Sequence, residues 1–399
     1  MNKVQIAGAG IGGLAAALAC ARAGHQVGLC ERTLDASEVG AGVQLGPNVV
    51  EVLFSWGLEA TLRQVAFFPE QLQVRSAATG GLLSSLLLGE AFVQRYGAPY
   101  LTIHRADLHG ILLQAVKATG RVDLQFGSAI TSFTQNDLGV SAEFSNDLQT
   151  QSDLLLGADG GWSTVRKLLL NDGTPQPTGH LAYRAMVPQS DLPAHLRCDQ
   201  VTAWLGPKLH VVQYPVRGGQ WLNVVAIVHG QVQGDMSHWD HSANAADLKR
   251  SMALACAPLR ELIGAIAFWR LWPLSIRTPM RGAHEHALGR VALLGDAAHP
   301  MVPYLAQGAG MAIEDAAALA WVLAEPPSGK NPFGDVPAQL QRYAQVRWQR
   351  NALVQARAIK NGQIFHATGL MRWGRDAALR LLGENLLDMP WLYGGKAHP

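Results

Sequence analysis

The chain has 399 residues, enough to bury a large core and to hold two domains or one domain inserted into another. Hydrophobic residues make up 48% and charged residues only 16%, a balance that points to extensive burial and an apolar ligand cavity. A net charge of +2 gives no basic footprint for nucleic acid or an anionic membrane, and the scattered Cys20, Cys30, Cys198 and Cys256 lack metal or redox spacing and match a reducing, cytoplasmic compartment.

In chain order, residues 4–7 form a short apolar run that reads as a buried parallel strand. Gly8, Gly10 and Gly13 follow in a G-x-G-x-x-G pattern where strand must turn into helix, and residues 14–23, rich in Ala and Leu, continue that helix. Residues 25–30 read as a second strand that ends on Glu31. Gly8 permits the tight turn, Gly10 lets a pyrophosphate approach the backbone, and Gly13 lets helix and strand pack closely. The helix N-terminus offers free N–H groups and partial positive charge to that pyrophosphate, and Glu31 is placed to accept hydrogen bonds from a ribose hydroxyl. The competing view of residues 4–21 as a signal peptide or membrane span meets repeated glycines and a direct run into a strand and Glu31.

Residues 32–42 read as a loop able to fold back over a nucleotide, and residues 43–48 turn into a helix over 49–56. Residues 72–88 suggest a hairpin through Thr79-Gly80-Gly81. A strand over 100–103 leads to a helix ending at Lys117, with Arg105 at its entrance, where it meets either a phosphate or solvent. Short strands follow over 122–126, 129–134, 140–144 and 154–156. The last ends in Gly157-Ala158-Asp159-Gly160, with Ser163 as a helix N-cap, so an acid and backbone N–H groups meet at a strand's carboxyl edge.

From about 175 to 279, strand-like pieces dominate, over 181–187, 201–205, 210–216, 221–229 and 266–272. They read as a mostly antiparallel sheet whose one face walls a pocket. His210, Val212 and Tyr214 share a face by the two-residue period, and a His and a Tyr there suit deprotonation of a phenol, against the plainer reading of a core His and an ordinary sheet Tyr. Residues 290–294 form another buried strand ending in Gly295-Asp296-Ala297-Ala298-His299-Pro300. Gln307, Gly308, Ala309 and Gly310 then open an Ala-rich helix whose N-terminus is placed to stabilise negative charge on a reduced cofactor ring. Residues 325–337 read as a loop, and 337–366 and 372–387 as amphipathic helices for packing or self-association.

The three motifs, Gly8-x-Gly10-x-x-Gly13 with Glu31, Gly157-Ala158-Asp159-Gly160 and Gly295-Asp296-Ala297-Ala298-His299-Pro300, resemble in this order the single-component FAD-dependent aromatic hydroxylases. The similarity runs from residue 3 to about 350 and is nearest the salicylate hydroxylase, 3-hydroxybenzoate 6-hydroxylase and 6-hydroxynicotinate 3-monooxygenase group. Tyr183-Arg184 before Val187-Pro188, and Trp204-Leu205-Gly206-Pro207 before His210 and Tyr214, also look like that group.

The resemblance implies an α/β fold: a Rossmann-like FAD-binding domain with an inserted, mostly antiparallel β-sheet substrate domain and C-terminal helices, like p-hydroxybenzoate hydroxylase. It divides the chain into FAD-binding parts at 1–71, 101–175 and 281–350, substrate-domain parts at 72–100 and 176–280, and a helical segment at 351–399. It implies that Gly8, Gly10 and Gly13 hold the FAD pyrophosphate and Glu31, with Arg32 beside it, the adenosine ribose. Arg105 and Asp296 would touch the phosphates and ribityl chain, and Asp159 belongs to a motif used for both FAD and the nicotinamide nucleotide. Gln44 lies on the cofactor side, and Gln307 to Gly310 by the flavin pyrimidine edge. His210, Tyr214 and Pro303 match substrate-pocket positions, with His210 as the base. Two departures bear on the ring substrate: Gln44 stands where some hydroxynicotinate enzymes carry His, and Pro303 where some hydroxybenzoate enzymes carry Gln. The implied reaction is hydroxylation of a small phenolic or N-heteroaromatic acid with NADH or NADPH and O₂ through a flavin C4a-hydroperoxide, in an enzyme without nucleic-acid, membrane or metal partner and with a homodimer as the family expectation. A larger aromatic, quinone or polyketide substrate, a non-hydroxylating FAD oxidoreductase, and a flavoprotein regulating a partner are the alternatives.

Overall fold

The computed structural model describes residues 1–34, 41–231, 241–242, 245–324 and 335–397. Its first sheet has six strands in the order Ala287–Leu288, Val291–Leu293, Leu154–Gly157, Lys3–Ala7, Gln26–Glu31 and Val122–Phe126. Every pairing is parallel except that of the edge strand Ala287–Leu288. Val4, Ile6, Leu154, Leu155, Leu156 and Val291 are fully buried, as apolar strands covered on both faces must be. Helix Ile11–Arg22 covers one face together with helix Gly308–Ala324. Small residues permit that approach: a Cβ at Gly12 would lie 2.8 Å from Leu294 Cδ2 and 3.2 Å from Ala312 Cβ.

The second sheet has eight strands in the order His241–Ser242, Arg270–Ile276, Gln176–Pro188, Trp221–His229, Leu209–Val216, Val201–Gly206, Gln71–Ser76 and Leu82–Leu87. Its pairings are antiparallel except for Val201–Gly206 beside Gln71–Ser76. One face packs Val211, Val224 and Ala226 against Leu248, Leu259 and Ile263 of helices Ala245–Ser251 and Ala257–Ala265. The other turns Val212, Tyr214 and Val216 toward Met311 and Val354. The two-residue alternation expected of residues 210–216 is therefore present. A three-stranded sheet, Ile130–Gln135, Val140–Phe144 and Gln149–Ser152, and a two-stranded one, Gly42–Leu45 with Leu101–His104, complete the α/β fold.

Three expectations change. Residues 42–45 are strand, because their backbone pairs with Leu101–His104 in the register Gly42↔His104 to Leu45↔Leu101. The strand expected over 266–272 begins at Arg270, because Ile266 and Trp269 are buried anchors of the turn leaving helix Ala257–Ala265, with Trp269 Nε1 donating to Ile266 O at 3.3 Å. Pro337 lies inside helix Val336–Phe365, at a first-turn position where its missing N–H costs nothing, and Asp335 caps that helix by accepting from Ala338 N at 3.3 Å. Residues 35–40 and 325–334, within the two expected loops, lie outside the described residues. Among the described residues, no helix is long and apolar enough to cross a membrane.

Candidate active site

The carboxyl ends of the parallel strands open onto a cleft of about 510 Å³. Gly8, Gly10, Glu31, Arg32, Arg105, Asp159 and Asp296, all singled out from sequence, line it together. A second cavity of about 690 Å³ lies at the amino ends of the same strands, lined by Met1, Asn2, Gln26 and Arg121. Open α/β sheets bind ligands at the carboxyl ends, and the second cavity holds none of the motif residues.

The cleft is shaped by close backbone contacts. Gly8 adopts φ +97° and a Cβ there would lie 2.5 Å from Ala158 O. A Cβ at Gly13 would lie 1.8 Å from Gly8 O, so the helix can start against the turn only with glycine at this position. Helix Ile11–Arg22 begins with neither a side-chain cap nor an acid in its first turn, leaving its N-terminal N–H groups for a ligand in the cleft. Glu31 is held at the rim: Oε2 accepts from Ala9 N at 2.9 Å and Oε1 from Thr33 N at 3.0 Å. Its carboxylate thus faces the turn with acceptor capacity left for a ribose hydroxyl.

Asp159 has a local task. Its Oδ2 accepts from Thr164 N at 2.7 Å and Val165 N at 3.2 Å, and Oδ1 accepts from the Ser163 hydroxyl. Ser163 Oγ in turn accepts from Arg166 N at 2.9 Å, the N-cap expected of it. Burial raises the Asp159 carboxyl above its ordinary value, and these hydrogen bonds work against that rise. Asp159 therefore holds the 157–161 turn against helix Thr164–Leu170 while lining the cleft. Arg166 continues the link, donating to Ala297 O at 3.1 Å and so tying this helix to the turn that carries Asp296. Asp315 supports that turn from below: its Oδ2 accepts from Gly295 N at 3.2 Å and pairs with His299 Nε2 at 2.6 Å.

The remaining candidates border the second sheet. Gln44 Oε1 accepts from Tyr100 OH at 2.7 Å, and Gly42 N donates to Asn223 Oδ1 at 2.7 Å. A Cβ at Gly42 would lie 2.6 Å from Tyr214 Cε2, so the Tyr214 ring is pressed under this strand. Burial drives the Tyr214 hydroxyl well above its ordinary pKa, opposed by the charge of Arg184 and by Gln44. Gln307 is buried at the start of helix Gly308–Ala324, and its Oε1 has no partner. That orphaned acceptor marks a place for a ligand N–H, as a flavin pyrimidine edge provides. Pro303 opens the turn Pro303–Leu305, which carries the buried Tyr304.

His210 is buried and meets a group invisible in the sequence. Its Nδ1 lies 2.7 Å from His366 Nε2, while His366 Nδ1 lies 3.1 Å from His229 Nε2. Tyr304 and Phe365 stand edge-on to the His210 ring at 5.1 and 5.3 Å. His180 Nδ1 reaches the Tyr304 hydroxyl at 2.5 Å. Burial lowers His180 to about 4, His210 to about 3 and His366 to about 2, and lowers His229 as well, so the four imidazoles are neutral near pH 7.

Sequence reasoning also passed over Arg184 and Trp272 as site residues. Both reach into the cleft from the second sheet, with the guanidinium 4.9 Å from the Trp272 ring centroid and Arg184 Nε without a partner. The Tyr183-Arg184 motif pointed to the arginine; nothing local pointed to Trp272, which comes opposite Ala182 only through strand register.

Comparison with known proteins gives a consistent result. The family model described as FAD binding domain matches residues 1–358. The chain is 35% identical over 394 residues to the 3-hydroxybenzoate 6-hydroxylase of Polaromonas naphthalenivorans (strain CJ2), covering 98% of this chain and 95% of that one. It is 34% identical over 355 residues to the 6-hydroxynicotinate 3-monooxygenase of Bordetella bronchiseptica, covering 88% and 89%. Among solved structures, a salicylate hydroxylase substrate complex matches with a TM-score of 0.83 and 28% identity, covering 99% of this chain and 96% of that chain. Klebsiella pneumoniae HpxO, complexed with FAD and uric acid, matches with a TM-score of 0.83 and 26% identity, covering 96% and 94%.

Proposed function

The chain belongs to the FAD-binding domain family and is an FAD-dependent monooxygenase of aromatic rings, and from that premise we propose that it hydroxylates a small aromatic acid carrying a ring hydroxyl, with His210 as the base and Tyr214 against the ring. The observation that carries this proposal is that one cleft runs from the Gly8–Gly10 turn to Arg184 and Trp272, and that the sheet bearing these two also bears His210 and Tyr214, which lie outside the cleft's lining.

The residues fit FAD. The uncapped N-terminus of helix Ile11–Arg22 would hold the pyrophosphate, and Glu31 the ribose, with Arg32 at the rim. Arg105 and Asp296 would meet the phosphates and ribityl chain. The orphaned Gln307 Oε1 and the N–H groups of Gly308, Ala309 and Gly310 would meet the pyrimidine edge, and Gln44 would be a further cofactor contact. Bound FAD supplies a hydride acceptor for NADH or NADPH and a centre that activates O₂.

The chain's own residues supply position and proton control. His210 keeps Nδ1 on His366, which leaves Nε2 as the nitrogen that would meet the phenol. As a neutral imidazole it has a ring nitrogen free to take the phenolic proton, against the burial that disfavours its charged form, and loss of that proton would enrich the ring with electrons. The Tyr214 hydroxyl stays protonated and serves as a hydrogen-bond donor. Val302, Tyr304 and Met311 are buried and would help keep the site dry. Pro303 and Gln44 would be the positions that select the ring, and the free thiols of all four cysteines suit a cytoplasmic compartment.

The test is NADH and NADPH consumption in air by the FAD-loaded protein against 3-hydroxybenzoate, 4-hydroxybenzoate, salicylate, 6-hydroxynicotinate and 3-amino-4-hydroxybenzoate, with H₂O₂ and ring products assayed together. One acid is expected to stimulate oxidation and give a stoichiometric hydroxylated product. Stimulation that yields only H₂O₂ marks a misplaced mimic. No stimulation by any of these acids overturns the substrate class and favours a larger aromatic.

A further inference from the structure

We propose that His180, His229 and His366 form a binding site for one divalent transition-metal ion of the zinc class, at the end of strand Trp221–His229 inside the second sheet and outside the lining of the flavin cleft. One ring nitrogen from each lies within 4.8 Å of the other two. His180 and His229 are direct partners on adjacent antiparallel strands, with ring centroids 4.5 Å apart. His366 joins them from just beyond the end of helix Val336–Phe365.

The three segments are tied together through the backbone without any ion. His366 N donates to Gly362 O at 3.2 Å, Lys208 N donates to His366 O at 3.1 Å, and His229 N donates to Lys208 O at 3.3 Å. The 3.1 Å between His366 Nδ1 and His229 Nε2 is close to the separation of about 3.3 Å between two ligands on a tetrahedral Zn²⁺ with bonds of roughly 2.0–2.1 Å. Outer partners hold two of the rings as metal-ligating imidazoles are held: His180 Nδ1 by the Tyr304 hydroxyl at 2.5 Å, and His366 Nε2 by His210 Nδ1 at 2.7 Å.

The chemistry selects the ion. Three imidazoles, joined by no carboxylate among the described residues, suit Zn²⁺, Ni²⁺ or Cu²⁺ and disfavour Mg²⁺ and Ca²⁺. For both His229 and His366 to ligate, the one N–H shared between them moves to the other nitrogen of its ring. His229 is exposed, which gives an ion an entry path. Two cations face the site, Lys208 toward His229 and Arg375 toward His366. The second is offset by Asp376, whose Oδ1 accepts from Arg375 Nε at 2.9 Å.

An ion on His366 Nδ1 fixes the ring that carries His210, so occupancy slows turnover. That consequence rests on the role proposed for His210; binding itself does not. The test is a Zn²⁺ titration of the FAD-loaded, tag-free protein against a chromophoric chelator. One Zn²⁺ per chain is expected, with affinity at least tenfold weaker in His180→Ala and in His229→Ala and unchanged in His195→Ala and His284→Ala, which are exposed elsewhere. Flavin absorbance confirms that each variant is folded. No Zn²⁺ binding, or binding weakened by the two control variants and not by the other two, overturns the site. Zn²⁺ inhibition reversed by chelator and absent in His229→Ala supports it further. Stoichiometric binding without inhibition upholds the site and counts against His210 as the base.

Discussion

Two glycines one position apart give opposite expectations. A methyl group at Gly13 would lie 1.8 Å from the Gly8 carbonyl oxygen, which is backbone and cannot move without dismantling the turn. At Gly12 it would lie 2.8 Å from Leu294 Cδ2, the far end of a side chain that can rotate. Gly13→Ala is therefore expected to purify without flavin, read as loss of the visible flavin absorbance and at least a hundredfold weaker FAD binding by titration of the apoprotein. Gly12→Ala is expected to keep its flavin, at a stability cost of order 1 kcal/mol for crowding Leu294. Retention of yellow colour by Gly13→Ala would show that the turn does not fix the cofactor. Gly8, Gly10, Gly13 and Glu31 were legible in the sequence because strand, turn, helix and acid occupy one short stretch, so spacing alone determines their juxtaposition. Tyr304, His366 and Trp272 were not, because each reaches the site from a segment far along the chain and only tertiary packing brings it there.

Helix Thr164–Leu170 transmits order between two motifs. Arg166 is buried, holds the Ala297 carbonyl and pairs with Asp172 Oδ2 at 2.6 Å, while Arg277 meets Asp172 Oδ1 at 3.0 Å. Burial raises the Asp172 carboxyl, but the Arg166 hydrogen bond and the charges of Arg166 and Arg277 outweigh it and hold the group below its ordinary 3.8. A depressed carboxylate stabilises the fold fully above its unfolded pKa, and that contribution is lost as pH falls through the lower folded value. Asp172→Asn is thus expected to cost about 2 kcal/mol at pH 7, reduced from a fully buried pair because Asp172 is about one-third exposed. The gap from wild type in thermal unfolding should stay constant down to about pH 5 and shrink steadily below that, closing only beneath the depressed folded value; a gap that does not narrow between pH 5 and pH 3 would mean that Asp172 acts by packing and not by charge. Arg166→Met is expected to weaken FAD binding as well, since it frees the turn bearing Asp296. Most elements were legible from period and composition, and the misplacements share a physical cause. Gly42–Leu45 is a strand only because Leu101–His104 pairs with it, and Ile266 and Trp269 looked like strand because helix-side burial also demands large apolar residues.

Helix Val336–Phe365 joins the two sheets into one body. Leu340 and Tyr343 enter the core of the parallel sheet, Val354 packs with Tyr214 and Met311, and Ala358 packs with Ala182 and Ile227 of the antiparallel sheet. Its sequence read as amphipathic, yet the face that matters is ionic. Arg347 is fully buried, with Nη1 2.9 Å from Glu314 Oε2 and Nε donating to Asp315 Oδ1 at 2.8 Å. Arg350 also binds Glu314, whose Oε1 accepts from Asn48 Nδ2 at 2.6 Å. Asp315 reaches on to His299 and the Gly295 turn, so one network runs from the C-terminal helix to the cofactor cleft. Burial disfavours the Asp315 charge, and His299 and Arg347 more than compensate, holding it far below its ordinary value. Arg347→Met removes that compensation and leaves a buried carboxylate, at an expected cost of roughly 3–5 kcal/mol. Because the helix contacts both sheets, the loss should be global. Wild type and Arg347→Met are each expected to unfold in one transition, with far-ultraviolet circular dichroism and flavin fluorescence coincident and the variant shifted lower by both probes. Flavin release well before loss of secondary structure in Arg347→Met would instead confine the network to the cleft, and the two sheets would then be held together by apolar packing alone.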